Sequence, residues 1–594
     1  MGPAEPERVH ERLPTLPALD GIRAVAVAAV LLYHSDIFWF PGGLLGVEVF
    51  FVLSGYLITS LLWTEVGAAG GIDMVRFWGR RARRLLPALF VMLAVVSVVW
   101  VVHLPSEVAR IRGDVAAAAT YTSNWYLIHG NHSYFIEFTR PSPFAHLWSL
   151  AIEEQFYLLW PPVVLLLWRW LRRPRRVAGA ILAMAALSSG FLALIFHGGD
   201  PSRIYYGTDT RAAGLLIGAA LAILWRPFAL GARRWNVKPF VLDATTIGAC
   251  GVLVWAFMRM DDLSPSTYRP GLLFVSLATA ALIATCVHPD ARMARILAIK
   301  PLRWLGKRSY SVYIWYFPVF VLTRPGVDFN ISIGTAFALR VATTLTLAEL
   351  SYRFIEQPIR HGALGRIAAQ LRRLARQPGP FGRRWVLRFT TAGVVSMMLF
   401  TGLAVAMVRA PTPPAALAEP SSLVGLDRPE EIGPVSFDPG KGLPVVAIGD
   451  SVMSGARPWL RLQFGRMVID AVVGRQVSEG IARLQYLKAH GELGDTVIIH
   501  LGNNGRFNAP QFDRIMDILA GVPTVVFVTV KVPRRWESSV NRVLEIGAQH
   551  HPTVVIVNWH SLWQTCPGHV FVSDGTHLTN AGARCYARLI AAAA

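Results

Sequence analysis

The chain of 594 residues is 53% hydrophobic and only 16% charged, which excludes a disordered polymer and an ordinary set of soluble domains. Lys and Arg number 58 against 37 Asp and Glu, a formal net charge of +21, and the location of that surplus decides between nucleic acid and membrane as its cause. Four cysteines in so long a chain exclude a disulfide-stapled scaffold, and with no CxxC pair among them no metal is expected.

After a short N-terminus, 1–19, apolar runs recur at about the 17 to 25 residues that cross a bilayer. They predict about eleven spans, near 20–38, 45–64, 86–104, 145–168, 177–196, 211–225, 239–258, 270–288, 308–323, 332–352 and 388–408. The weaker apolar stretches of 105–144 read as a re-entrant or interfacial piece, and the parity of the count turns on them. Alternate loops, at 76–84, 169–176, 226–238, 292–308 and 353–388, are rich in arginine, and the loops between them are not. Cytoplasmic loops are enriched in Lys and Arg, so the N-terminus is expected inside and everything past 408 outside. The positive surplus is then a topology signal, with membrane lipid and not nucleic acid as the partner. No cleavable signal peptide is evident, because the first apolar run lacks a small-residue cleavage site and carries Arg23 and His34.

Ionisable groups inside spans are costly, which makes each a candidate for function. Arg23 and His34 lie three helical turns apart on one face, about 16 Å from each other. The arginine can hold a phosphate-bearing donor while the histidine acts as base or transient nucleophile. The plainer reading makes Arg23 a snorkelling anchor and His34 a packing residue. In HLWSLAIEEQFYLLWP, His146, Ser149, Glu153 and Tyr157 form one stripe at i, i+3, i+7 and i+11. Glu154 points about 100° away, so Glu153 is the candidate acid; a structural hydrogen-bond network between spans is the alternative. Tyr205, Tyr206, Asp209 and Arg211 precede one span, and Tyr310, Ser311, Tyr313 and Tyr316 mark another, where tyrosine rows more often anchor at the interface. Cys250 and Cys286 read as apolar packing residues.

The motifs ALDGIRAVAVAAVLLYH, GVEVFFVLSGYLIT, HLWSLAIEEQFYLLWP, YYGTDTRAAGLLIG, LGKRSYSVYIWYFP and ELSYRFIEQPIR, in this order over about 20–360, resemble the membrane-bound acyltransferase family 3. That family transfers acyl groups to extracytoplasmic glycans. The resemblance implies acyl-CoA as cytoplasmic donor, Arg23 and His34 as the essential pair, and Glu153 and Arg211 as further site residues, Arg211 on the donor side. Many members have His-Trp-Pro where this chain has Tyr316-Phe317-Pro318, which puts a histidine role there in doubt.

Past the final span, 409–442 is rich in Pro, Ala and Gly, the composition of an extended linker. From 443 to 594 the β-type runs PVVAIGD, DTVIIHLG, TVVFVTV and TVVIVNW alternate with helical stretches, which predicts a parallel sheet in an α/β domain. The expected fold class is thus a polytopic α-helical membrane domain, 20–387 with a final helix 388–408, joined to an extracytoplasmic α/β domain. Gly449-Asp450-Ser451 follows a strand directly, placing Ser451 at a strand-to-helix turn that suits a nucleophile. Asp574 stands three residues before His577, where a carboxylate can orient the ring that deprotonates the serine. Between them Gly474 in DAVVGRQ and Asn504 in HLGNNG can supply a backbone N–H and a side-chain amide to an oxyanion.

The order Ser, Gly, Asn, Asp-x-x-His resembles the SGNH (GDSL-like) hydrolase superfamily. DAVVGRQ, LGNNG and DGTHL look like the secreted half of Gram-positive peptidoglycan O-acetyltransferases. The resemblance implies Ser451 as nucleophile, His577 as base, Asp574 as orienting acid, and Gly474 and Asn504 as oxyanion donors beside the Ser451 N–H. Gly505 departs from the superfamily's usual GxND, in accord with that subgroup, and Asn503 from the subgroup's common Thr. Cys566 and Cys585 flank the DGTH loop symmetrically and can pair outside the cell; two unrelated buried thiols are the alternative. The expected reaction carries an acyl group, acetyl by analogy, from the cytoplasmic donor past His34 to Ser451 and on to an extracytoplasmic glycan, muramic acid in peptidoglycan leading and another cell-surface polysaccharide or glycolipid the alternative. Two rivals stand: a membrane-anchored esterase that removes acyl groups, and a membrane half that is a transporter or sensor.

Overall fold

The computed structural model describes residues 16–35, 40–130, 140–196, 201–225, 237–260, 264–325, 328–329, 331–375, 445–464, 466–505, 507–534, 536–572 and 574–594, with scattered positions over 387–410. It separates into two compact units, Met1–Phe135 with Ser142–Leu322 and Phe337–Ala410, and Ile136–Pro141 with Thr323–Ala336 and Pro411–Ala594.

The first unit is helical. Its principal helices are α1 (Pro17–His34), α2 (Gly46–Ala69), α3 (Met74–His103), α4 (Trp148–Leu171), α5 (Pro174–Ile195), α6 (Thr208–Leu224), α7 (Pro239–Arg259), α8 (Leu272–Cys286), α9 (Lys300–Lys307), α10 (Ser309–Leu322) and α11 (Ile333–Ser351). Among the described residues, 8 helices are long and apolar enough to cross a membrane. The expected spans at 211–225 and 308–323 are helices of 17 and 14 residues, short of that length. The expected span at 388–408 lies mostly outside the described residues. Segment 105–144 holds two short helices, Val108–Ala119 and Ser123–His129, and no spanning one among its described residues. Leu158, Leu159, Leu187, Phe240 and Ile247 are more than half exposed at 57 to 80%, an apolar exterior that only lipid solvates well. Between helices, small residues let backbones touch: a Cβ on Gly218 of α6 would sit 2.0 Å from the Val52 carbonyl oxygen of α2, so any side chain there would part the two helices.

The described residues of the second unit from 445 on build a 5-stranded sheet in the order β2-β1-β3-β4-β5, its paired strands parallel. The strands are β1 (Val445–Gly449), β2 (Met467–Ala471), β3 (Thr496–His500), β4 (Thr524–Val528) and β5 (Val554–Val557). They are near-continuous apolar runs because helices cover both faces. Val446, Ile448, Ile499 and Phe527 point to one side, under α13 (Val477–Ala489), α14 (Ala509–Ile518) and α15 (Glu537–Gln549). Ala447, Ile498 and Val526 point to the other, under α12 (Ser451–Phe464) and α16 (Asn580–Ala591). Each such buried aliphatic or aromatic side chain contributes about 1.5–3 kcal/mol. Strand order reverses at β1, which has β2 on one side and β3 on the other, and in open parallel sheets the crevice beyond the carboxyl ends at such a reversal receives ligands.

Candidate active site

That crevice collects the residues expected to act. Ser451 is the first residue of α12, directly beyond β1, buried with its Oγ free of hydrogen-bond partners among the described residues. An oxygen at a helix N-terminus gains from the positive end of the dipole when it becomes anionic. His577 and Asp574 sit on a tight turn closed by Gly575 N–H to the Val572 carbonyl (3.1 Å) and Val572 N–H to the His577 carbonyl (2.9 Å). The Asp574 carboxylate is used on both oxygens. Oδ2 lies 2.6 Å from His577 Nδ1, and Oδ1 accepts from the N–H groups of Thr576 (2.8 Å) and His577 (2.9 Å). Burial alone would raise the Asp574 pKa, but the His577 hydrogen bond and charge and the two N–H donors hold it below the ordinary carboxylate range. An ionised Asp574 assigns the proton of His577 to Nδ1, which makes Nε2 the basic atom. A disulfide between Cys566 and Cys585 closes the segment that carries this turn.

Gly474 follows β2 with φ of 81°, the left-handed region where a side chain is strained although nothing would collide with it. Asn504 follows β3, 2% exposed, and its Nδ2 donates to the Arg475 carbonyl at 3.2 Å. Gln476 Nε2 in turn donates to the Asn504 carbonyl at 3.0 Å. The two expected oxyanion donors, far apart in sequence, are thereby stitched together.

Asp450, His500, Asn503 and Tyr586, none of them given a role by the sequence, form a polar chain at this site. Asp450 is fully buried; its carboxylate accepts from Asn503 Nδ2 (2.9 Å) and the Val452 N–H (3.1 Å). Asn503 also lies 3.2 Å from His500 Nε2, and His500 Nδ1 lies 2.7 Å from the Tyr586 hydroxyl. Burial pushes the Asp450 carboxyl up to about 6 and the His500 imidazole down to about 3. Asn503 is what links the carboxylate to the imidazole. The Asp beside the nucleophile was a local signal for Asp450; the chain from Asn503 to Tyr586 has none.

In the helical unit, His34 Nδ1 lies 2.8 Å from the Val30 carbonyl, which places its proton on Nδ1 and the lone pair on Nε2. Its ring packs against Tyr316 (5.2 Å between centroids) and Phe317 (5.5 Å). His146, completely buried, packs on the same two rings at 5.5 and 5.0 Å. The stripe on α4 does turn inward. Ser149 Oγ lies 2.6 Å from the Tyr313 hydroxyl, and Glu153 accepts from Ser54 (3.1 Å) and from Tyr157 (3.2 Å). Arg23 is within charge range of Glu153, Tyr157 and Arg84. His34 and His146 are thus brought together on the Tyr316 and Phe317 rings. Arg211 stands elsewhere: it pairs with Glu48 at 2.9 Å between the rings of Phe51 and Tyr205, with Ser276 donating to the same carboxylate. Its charge is matched inside the helix bundle, with Glu48 as the partner the sequence did not reveal.

The family model of the acyltransferase domain matches residues 16–348, more than half of the chain. The chain belongs to this acyltransferase family. Over 97% of its length it is 36% identical to "Peptidoglycan O-acetyltransferase OatA" of Listeria monocytogenes, covering 97% of that protein. It is also 36% identical to "O-acetyltransferase OatA" of Staphylococcus aureus, over 97% of this chain and 95% of the relative. Among solved structures, the C-terminal catalytic domain of the Streptococcus pneumoniae peptidoglycan O-acetyltransferase A aligns with 26% of this chain and 92% of its own, at 22% identity and a TM-score of 0.24. The acyltransferase is therefore an O-acyltransferase enzyme that joins a helical, membrane-type half to an α/β half with the ordered Ser, Gly, Asn and Asp-x-x-His residues. In the acyltransferase, Ser451, His577 and Asp574 can form and resolve an ester, and Gly474 with Asn504 can stabilise the charge that develops on its carbonyl oxygen.

Proposed function

We propose that this acyltransferase moves an acetyl group from cytoplasmic acyl-CoA to hydroxyls of peptidoglycan outside the membrane, N-acetylmuramic acid being the leading acceptor. The supporting observation is the His577–Asp574 hydrogen bond at 2.6 Å in a crevice that also holds Ser451 and the stitched pair Gly474 and Asn504. The names and near-complete coverage of the relatives support acetyl and peptidoglycan. Acyl-CoA is charged and confined to the cytoplasm, so the acyl group has to cross without its carrier. Arg23, with Arg84 in charge range, supplies cations for the donor's phosphates. Arg211, matched by Glu48, serves better to shape the bundle than to grip the donor. His34 Nε2 takes the proton of a tyrosine hydroxyl as that oxygen attacks the thioester carbonyl and hands it to the departing CoA sulfur; the Tyr316 ring packs against His34, and Glu153 acts on Arg23 through its charge.

Outside, the acyl group is presented as an ester of a tyrosine hydroxyl of the helical half; Ser451 Oγ attacks its carbonyl and gives its proton to His577 Nε2, which passes it to the departing tyrosine oxygen. The ester on Ser451 then meets a sugar hydroxyl. His577 removes the hydroxyl proton, the sugar oxygen attacks the ester carbonyl, and the Ser451 oxygen leaves and takes the proton back. In both steps the anionic carbonyl oxygen lies against the Ser451 and Gly474 N–H groups and the Asn504 amide. Ser451→Ala is expected to abolish glycan O-acetylation while the protein still inserts and accumulates, read by mass spectrometry of wall fragments. Undiminished wall ester would refute the relay. Release of free acetate in the presence of glycan, with no ester on the sugar, would convert the reading to an esterase.

A further inference from the structure

Beneath the two oxyanion donors lies a buried charge cluster that the proposed steps do not use. Asp470 is in β2 and Arg475 follows Gly474; both are 8% exposed. The Arg475 guanidinium donates to the Asp470 carboxylate, to the Asp470 carbonyl and, at 3.3 Å, to the carbonyl of Gly449, the residue two before the nucleophile. Arg483 of α13 holds the second carboxylate oxygen of Asp470. The Arg475 carbonyl accepts from Asn504, and Gln476 closes the loop back onto the Asn504 backbone. One side chain and its own carbonyl therefore touch the end of β1, the end of β2 and the turn after β3, the three segments that carry Ser451, Gly474 and Asn504. A planar guanidinium with donors in a fixed fork can bridge three acceptors at set angles, which an ammonium cannot do.

We infer that the Asp470–Arg475 pair is a positioning unit for the oxyanion hole, setting the separation of the Gly474 N–H and the Asn504 amide and tying both to the strand that presents Ser451. The inference rests on the reading of Gly474 and Asn504 as oxyanion donors. A displaced donor loses transition-state binding while leaving acceptor binding alone.

The test uses the full chain in detergent micelles, with p-nitrophenyl acetate as acyl donor and soluble peptidoglycan oligomers as acceptor. Arg475→Lys and Asp470→Asn are expected to lower kcat about 10- to 100-fold with KM for the oligomer within about 2-fold. Affinity for a short alkyl boronic acid, whose tetrahedral Ser451 adduct places an anionic oxygen in the hole, should fall by the same factor as kcat/KM. Arg483→Gln, more exposed and touching Asp470 from outside, should show a smaller loss in the same sense, and it serves if the other two variants fail to fold. A lower unfolding midpoint with kcat per titrated serine and boronate affinity unchanged in the folded variants would overturn the inference. Ser451→Ala run alongside separates the failures: if it retains transfer, the acyl-enzyme reading falls; if it is inactive while the strut variants are normal, only the positioning role falls.

Discussion

Asp450 shows how a single residue can trade stability for placement. Its buried carboxyl titrates near 6, above the unfolded value of about 3.9, in spite of the donors from Asn503 and Val452. The native state therefore keeps a proton that the unfolded chain has lost. Stability from this group is fully present below about pH 4 and disappears as pH rises through 6, a difference on the order of 3 kcal/mol. Asp574 has the opposite sign: its depressed pKa adds stability above the ordinary carboxylate range that is lost as pH falls below it. Thermal unfolding of the Asp450→Asn chain is expected to show a flatter midpoint between pH 4 and 6 than the parent; an identical slope would show that Asp450 does not set it. Ser451, Asp574 and His577 were legible because each lies in a short local signature. Asp450's link to His500 and Tyr586 was not, because hydrogen bonds between the turn after β1, the end of β3 with its following turn, and α16 leave no spacing in the sequence.

At the scale of elements, the five strands were readable as apolar runs because both faces of the sheet are covered. Their order was not, and it is the order that puts β1 between β2 and β3 and so gathers Ser451, Gly474 and Asn504 beyond the carboxyl ends of three neighbouring strands. The turn between Cys566 and α16 is held in two ways, by the hydrogen bonds within Val572–His577 and by the Cys566–Cys585 disulfide, whose partners are 19 residues apart. Closing a loop of that length removes chain entropy worth about 3 kcal/mol from the unfolded state. Cys585→Ser, or dithiothreitol on the parent, is expected to lower the unfolding midpoint of the C-terminal domain and shorten its active lifetime on warming, measured by circular dichroism and p-nitrophenyl acetate turnover. Equal midpoints with and without reductant would remove the staple from the account. Among the helices, the span-length runs were legible from composition, whereas the close approach of α2 and α6 at Gly218 required the packed bundle.

For the whole molecule, charge and hydropathy carry most of what can be known without coordinates. Arginine-rich loops alternate with poor ones, and large apolar side chains on the helices stay exposed for lipid. An alkaline phosphatase fused after Ala594 is expected to be active, and protease added to intact cells stripped of wall is expected to remove the α/β domain. A cytoplasmic readout would leave the proposed transfer without a route.

The sequence by itself determined the two halves, the membrane-type helices and the serine, histidine and aspartate proposed to do the chemistry, because each depends on residues within a few positions or one span of each other. Only the tertiary structure decided that Arg211 is matched by Glu48, that His146 shares the Tyr316 and Phe317 rings with His34, and that Arg475 binds three strand ends together. Those contacts join segments distant in the chain, and their partners are selected by packing and by the need to satisfy buried charge, conditions that exist only once the chain has folded.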